Sequence, residues 1–291
     1  MTIEELLESF RIYKQTIDGR SDSTLELYLQ HIRSFLKDME INDYDALIHT
    51  KASQIVDWLV KLHDQGNGAT TRNNKLSAIK QLFEYLLDIR EEDIDMKVIR
   101  FKPAKTPIRQ TKFFDDSCIQ SMLHESQNQR EIALLTLLYY SCIRISELRQ
   151  ITCTNIRDGW CTVIGKGNKE RKLFFNKRIQ DECVAYIEGR RAKMVKKYGI
   201  TSDILFISKK GKPITRQEVT QILVRMAERA GIVDYQKMTP HKIRHSGLTR
   251  LSDSGATPSV VKDIAGHASL ATTSLYIHTN EEKIRKAMET L

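Results

Sequence analysis

With 291 residues, 41% of them hydrophobic, the chain has enough apolar content to fill two cores, which excludes a disordered segment and a small disulfide-stapled module. Its five cysteines include no C-x-x-C pair, which points to reduced thiols in a cytoplasmic protein and away from a zinc site, and no apolar run approaches the length of a membrane span. The formal net charge of +9 suggests a polyanionic partner and is unevenly spread: residues 1–103 carry 14 Lys+Arg against 18 Asp+Glu, a balance of −4, which leaves +13 on the remainder.

The first hundred residues read as a helical bundle. Thr2-x-x-Glu5 and Ser23-x-x-Glu26 have the form of capping boxes. The second opens an amphipathic helix through Leu25, Tyr28, Leu29, Ile32 and Leu36. Ala52, Ile55, Val56, Leu59 and Leu62 mark a third helix, and Leu76, Ile79, Phe83 and Leu86 a fourth, separated by Gln65-Gly66-Asn67-Gly68. Residues 101–112, FKPAKTPIRQTK, hold two of the five prolines and four basic residues without an apolar period. They read as a basic extended linker between a domain at 1–100 and a second at 113–291.

In the second domain, Asp115 or Asp116 caps a helix through Ile119, Met122 and Leu123, and a longer apolar helix runs from about Arg130 to Tyr140. Arg144 comes just past its end, with Glu147 as the expected ion-pair partner that would fix its guanidinium. Trp160–Ile164 and Arg171–Phe175 flank a GKGNKE turn as the strands of a hairpin. A third strand is expected at Ile204–Ile207, then the turn Lys209-Lys210-Gly211-Lys212 and a helix from Arg216 to Ala230. Thr239-Pro240 is an N-cap followed by a residue suited to the first helical position, so a helix should run to about Ser252. His241 and Arg244 then share its first turn, where free backbone N–H groups and the helix dipole favour a phosphate. Thr257-Pro258 opens a short helix with Val260, Val261 and Ile264 facing inward, and Gly266 is placed to end it in a left-handed cap. His267 follows that cap, and a last short helix from about Ser269 puts Tyr276 near its end. The fold class is mainly α with a small antiparallel β-sheet.

Taken singly, each His, Arg or Tyr here is more often structural than chemical. Together they form a phosphate clamp, two imidazoles able to move protons near neutrality and a hydroxyl nucleophile, a combination suited to attack on a phosphodiester. There is no P-loop, no G-x-G-x-x-G, no H-E-x-x-H and no G-x-S-x-G, and no carboxylate cluster of the kind two-metal nucleases need. The reading therefore calls for no metal and no cofactor, with phosphate activation left to fixed cations.

The order H-x-x-R (His241 to Arg244), G-H (Gly266-His267) and Tyr276 resembles the tyrosine recombinase/integrase family. Arg144-Ile145-Ser146-Glu147-Leu148 is similar to that family's R-x-S-E-L box, and Gly165 to Arg171 to its hairpin Lys box around Lys166. Length and order most resemble the compact Xer-type members. Cys142 departs from the pattern, standing where relatives usually carry glycine. The resemblance implies an N-terminal core-binding, SAM-like bundle that clamps DNA through Thr70, Thr71, Arg72, Lys75 and Lys80, and a C-terminal α+β catalytic domain in which Lys169 and Arg171 join the DNA contacts. It implies a Tyr276 attack that leaves a 3′-phosphotyrosyl enzyme, with Arg144 and Arg244 on the non-bridging oxygens, Lys166 as general acid, His241 as base and His267 as hydrogen-bond donor. Its further implications are a nucleoid-associated protein without ATP, an inverted-repeat site on double-stranded DNA, and a tetramer passing through a Holliday junction, with residues 281–291 docking on a neighbour. A type IB topoisomerase shares this chemistry but acts as a monomer, and a catalytically silent DNA-binding regulator could share the scaffold. A tetramer on a defined site excludes the first, and a covalent adduct excludes the second.

Overall fold

The computed structural model describes residues 1–106, 114–164 and 170–266. The chain divides into two compact units, Met1–Arg109 and Gln110–Leu291.

The first unit is five helices around one core. Helix α1 (Ile3–Thr16) starts in the expected capping box, with Glu5 N–H donating to the Thr2 hydroxyl at 3.2 Å and Thr2 N–H to the Glu5 carboxylate at 2.7 Å. Helix α2 (Asp22–Asp38) does not use its expected box: its N-cap is Ser21, which places Ser23 inside the first turn. The short α3 (Tyr44–Ile48) was not foreseen; α4 (Ala52–Asp64) and α5 (Ala69–Asp88) were. In α4 the buried stripe is Ile55, Trp58 and Leu62, while Val56 is exposed. The indole decides this rotation, because it packs edge-on against Phe35 at 5.0 Å and donates to the Asp38 carboxylate at 3.0 Å. Leu76, Ile79, Phe83 and Leu86 of α5 all face the core as expected.

The first part of the linker is not free. The Asn73 side chain bonds both the N–H and the carbonyl of Ala104, at 2.8 and 2.9 Å, and Lys80 Nζ donates to the Phe101 carbonyl at 3.2 Å, so residues 101–104 form a strap along α5. Residues 107–112 lie outside the described residues.

The second unit is built around α7 (Gln129–Tyr140), which follows α6 (Asp116–His124) and its Asp115 cap. The middle of α7, from Ala133 to Tyr139, is buried on every side. After the short α8 (Ile145–Leu148) and α9 (Cys153–Asp158) comes a two-stranded antiparallel sheet, β1 (Trp160–Ile164) with β2 (Glu170–Phe174), in which Trp160 pairs Phe174 and Ile164 pairs Glu170. A run not foreseen follows: α10 (Lys177–Tyr186), a π-helical turn (Ile187–Arg191) and α11 (Ala192–Tyr198). The expected third strand at Ile204–Ile207 is absent from the described sheet and reduces to two isolated bridges, Thr152 to Ile204 and Ile207 to Pro213. Leu205, Phe206 and Ile207 are all fully buried, and Arg191 donates to the carbonyls of Ser202, Ile204 and Leu205, which takes acceptors a ladder would need. Then come α12 (Arg216–Arg229), α13 (Pro240–Asp253) and α14 (Pro258–Ala265). In α14 the inward residues are Val261 and Ala265; Val260 is exposed, against expectation.

Gly247 sets the approach of α13 to α7. A Cβ there would stand 2.3 Å from the Tyr139 carbonyl oxygen, a backbone atom that yields only if the helices move apart, and 2.9 Å from Cys142 Sγ. Gly247→Ala is therefore expected to cost about 3 kcal/mol, the upper end of overpacking penalties. Thermal melting of the variant checks this, and an unchanged Tm would show that the helices are not in such close contact.

Candidate active site

Local geometry first brings Arg144 into place. Helix α7 ends at Tyr140, and Cys142 turns the chain with φ +51°, a left-handed conformation that costs a non-glycine residue about 1–2 kcal/mol. A glycine at this position would adopt it freely. Cys142 is buried, and that burial pushes its thiol up to about 11, so it stays neutral. Arg144 then serves as N-cap of α8. Glu147, three residues on, accepts the Arg144 N–H at 2.8 Å and its Nη1 at 3.0 Å. The expected Arg144–Glu147 pair is present, and the Glu147 carboxyl is fully buried.

Around this pair three guanidiniums converge on the end of α14. Arg144 Nη2 donates to the Gly266 carbonyl at 2.7 Å, Arg244 Nη2 to the Ala265 carbonyl at 2.5 Å, and Arg171 Nη1 to the Ile264 carbonyl. Three consecutive carbonyls at the negative end of a helix thus each take one cation. Arg244 is buried and also donates to the Cys142 carbonyl, which couples α13 to the turn after α7. Burial, then the charges of Arg144 and Arg171, lower its pKa to about 10, still well above neutrality. Gly266 closes α14 with φ +57°, and a Cβ there would meet Arg171 Cδ at 2.8 Å and Arg144 Nη1 at 3.0 Å. Glycine is required at this point both for the left-handed cap and for the guanidiniums to pass.

Arg171 has a structural part that the sequence reading did not include. It was expected among the DNA contacts, yet its side chain is only 10% exposed. Its Nε and Nη2 donate to Glu147 at 3.2 and 2.7 Å, and Nη1 is held by Ile264, so all three nitrogens are used inside the protein. It ties strand β2, the carboxylate and the end of α14 together. Burial alone would raise the Glu147 pKa, but the bonds from Arg171 and from the Arg144 N–H and guanidinium outweigh it and hold the carboxyl below its ordinary value.

His241 stands in the first turn of α13, whose Thr239 cap accepts the Lys242 N–H at 3.3 Å, and its ring opens to solvent. Partial desolvation of the ring, then the charges of Arg244, Arg216 and Arg144, lower its pKa below 6.5. It is therefore neutral at physiological pH and able to accept a proton. Arg216, at the start of α12, was not foreseen as part of this field; the only signal was its position just after a Thr215 cap. Lys166, Lys169, His267, Tyr276 and the tail 281–291 lie outside the described residues.

In the first unit, Thr70 and Thr71 are exposed at the start of α5. The expected basic contacts are half-buried and engaged locally: Arg72 Nη1 donates to the Asn67 carbonyl at 2.6 Å, the Lys75 ammonium lies 6.0 Å from the Trp58 ring centroid, and Lys80 holds the Phe101 carbonyl.

Comparison with known proteins decides the family. A model of the phage integrase family matches residues 112–283, more than half of the chain and the whole of the arginine cluster. The chain belongs to the phage integrase family. A model of the phage integrase N-terminal SAM-like domain matches residues 7–89 of this integrase-family chain, the α1–α5 bundle. It is similar to tyrosine recombinase XerD of Vibrio cholerae, 30% identical with 92% of this chain and 89% of the relative covered. It is also similar to tyrosine recombinase XerD of Staphylococcus saprophyticus, 29% identical with 98% and 97% covered. Among solved structures, a Tn1549 transposon integrase in complex with circular intermediate DNA shares the fold, with a TM-score of 0.73 at 18% identity and 99% of each chain covered. The tyrosine recombinase/integrase reading and the mainly helical, two-part fold are thereby established.

Proposed function

We propose that this protein is a site-specific DNA recombinase that cuts and rejoins strands through a 3′-phosphotyrosyl intermediate. The observation that carries the proposal is the convergence of Arg144 and Arg244 beside a buried carboxylate and the end of α14, one residue before His267. Fixed guanidiniums in a partly desolvated setting neutralise charge on the non-bridging oxygens of a phosphodiester as its transition state forms. In this reading the Tyr276 oxygen attacks phosphorus and passes its proton to neutral His241. The 5′-oxygen leaves with a proton from Lys166, and His267 donates a hydrogen bond to the phosphate. One ester replaces another, so the bond energy is kept for rejoining and no nucleotide is consumed.

The partner is double-stranded DNA with an inverted-repeat site, gripped also by the α5 face at Thr70, Arg72, Lys75 and Lys80, and by Lys169. Four protomers would assemble on two duplexes and exchange strands through a Holliday junction, with residues 281–291 docking on a neighbour. The place of action is the cytoplasm, at the nucleoid; among the described residues no helix is long and apolar enough to cross a membrane.

The assignment of Lys166 has its own test. Lys166→Ala should slow cleavage by about 10²- to 10⁴-fold, the usual worth of a positioned proton donor. A substrate with a 5′-bridging phosphorothioate has a leaving group that needs no proton and should recover most of that loss. Equally slow cleavage of both substrates would remove Lys166 from the role of acid.

A further inference from the structure

Away from the arginine cluster, the second unit holds a cavity of about 430 Å³ whose chemistry the recombination reading does not use. Its wall is made by the start of α7, the π-helical turn with α11, the Ser208–Lys212 turn and the first turn of α12. Four cations line it: Arg130, Arg190, Lys209 and Lys210. Among the described residues none of them has a carboxylate within ion-pair distance. Among the described residues Glu218 is the one acidic group on the lining; one of its oxygens accepts the Thr215 N–H at 2.7 Å and hydroxyl at 2.8 Å, and its charge offsets that of Arg130 only in part.

Two buried donors beside these cations have no partner among the described residues. Arg130 donates through Nη2 to the Ile207 carbonyl at 3.2 Å, yet its buried Nε bonds nothing. The Tyr186 hydroxyl is likewise buried and unbonded, and both Arg130 and Arg190 bear on it electrostatically. Leaving such donors unpaired is destabilising, and rotation of either side chain toward the cavity would recover that cost on an acceptor there. The π-turn that carries Arg190 is itself a feature concentrated at functional sites. Met194 adds an apolar surface on which an organic body can rest. A volume in the range of small-ligand pockets and a concave shape favour a small molecule over a duplex backbone, whose phosphates are met by protruding side chains.

We infer that this cavity binds a small phosphate monoester, with the phosphate among Arg130, Arg190, Lys209 and Lys210 and the organic part against Met194. Rotation toward the cavity would add the Tyr186 hydroxyl and Arg130 Nε as its last two donors.

Calorimetric titration of the full chain with adenosine 5′-monophosphate, inorganic phosphate and adenosine tests the assignment. The first two should saturate and adenosine should not. Tyr186→Phe keeps the ring stacked on Phe206 at 5.3 Å and should weaken binding of the monophosphate by about tenfold, the worth of one hydrogen bond to a charged group. Arg130→Gln combined with Arg190→Gln should weaken it by about 100-fold or more. No saturable binding, or binding unchanged in both variants, would overturn the proposal, the latter by placing the phosphate on Arg144 and Arg244. Loss of duplex affinity in the same variants, with the monophosphate displaced by DNA, would also overturn it by assigning the cations to the DNA path.

Discussion

Arg244→Lys should leave a folded protein that binds duplex DNA within a few-fold of the parent but cleaves it about 10²- to 10³-fold more slowly, the loss that follows removal of one fixed donor to a developing oxyanion. Arg244 spends one Nη on the Cys142 carbonyl and the other on the Ala265 carbonyl at 2.5 Å, so its planar fork is held rigidly between α13 and α14. A lysine ammonium is a compact point charge that cannot span both carbonyls while meeting a phosphate. It also starts from a pKa of about 10.4, and the burial that lowers Arg244 would draw it toward neutrality. Single-turnover cleavage and a thermal melt, run together, separate the chemical loss from a folding loss. A variant within tenfold of the parent rate would mean that Arg244 serves the packing of α13 on α14 and not the phosphate.

Glu147→Ala should be the most destabilising single change in the second unit. Among the described residues Glu147 is the sole carboxylate paired with both Arg144 and Arg171, at 3.0 and 2.7 Å, and its removal leaves three guanidiniums facing one another over the end of α14. Breaking a buried pair by deleting one partner costs about 3–5 kcal/mol. For a unit of this size that corresponds to a Tm lowered by about 6–20 °C. The sign of the pH dependence follows from the lowered carboxyl pKa in the folded state. The contribution is fully present above the unfolded carboxylate value, about 4.3, and is lost as pH falls below it through the folded pKa. The gap between parent and variant should therefore be constant from about pH 7 to pH 5 and close below about pH 4. A gap that persists unchanged at low pH would show that lost packing, not lost charge, destabilises the variant.

Much of this arrangement was legible in the residues because the signals were local. Thr239-Pro240 and Thr257-Pro258 announce helix starts by the fixed φ of proline and the cap hydroxyl, and both helices begin there. Gly266 was readable as a left-handed cap, and Glu147 as the partner of Arg144 three residues away. What was missed depends on tertiary contacts. Arg171 looks from the sequence like any cation beside a solvated turn, and only the fold reveals that α14 and Glu147 close over it. The Val56 error has the same origin, since a helix stripe through Ile55 can include either neighbour until Phe35 and Asp38 claim the Trp58 indole. Ile204–Ile207 is β-like in composition, yet Arg191, 13 residues before Ile204 and at the end of a π-turn without a local signature, takes its carbonyls.

The central claim is that the guanidinium cluster serves attack by Tyr276 on a DNA phosphate, and trapping the covalent intermediate tests it most directly. Wild-type protein incubated with a nicked suicide substrate carrying its recombination site should give a denaturant-resistant protein–DNA adduct, and peptide mapping should find the nucleotide on Tyr276. Tyr276→Phe should still bind that substrate and give no adduct. An adduct that survives in Tyr276→Phe, or one mapped to Tyr235 or Tyr198, would contradict the account.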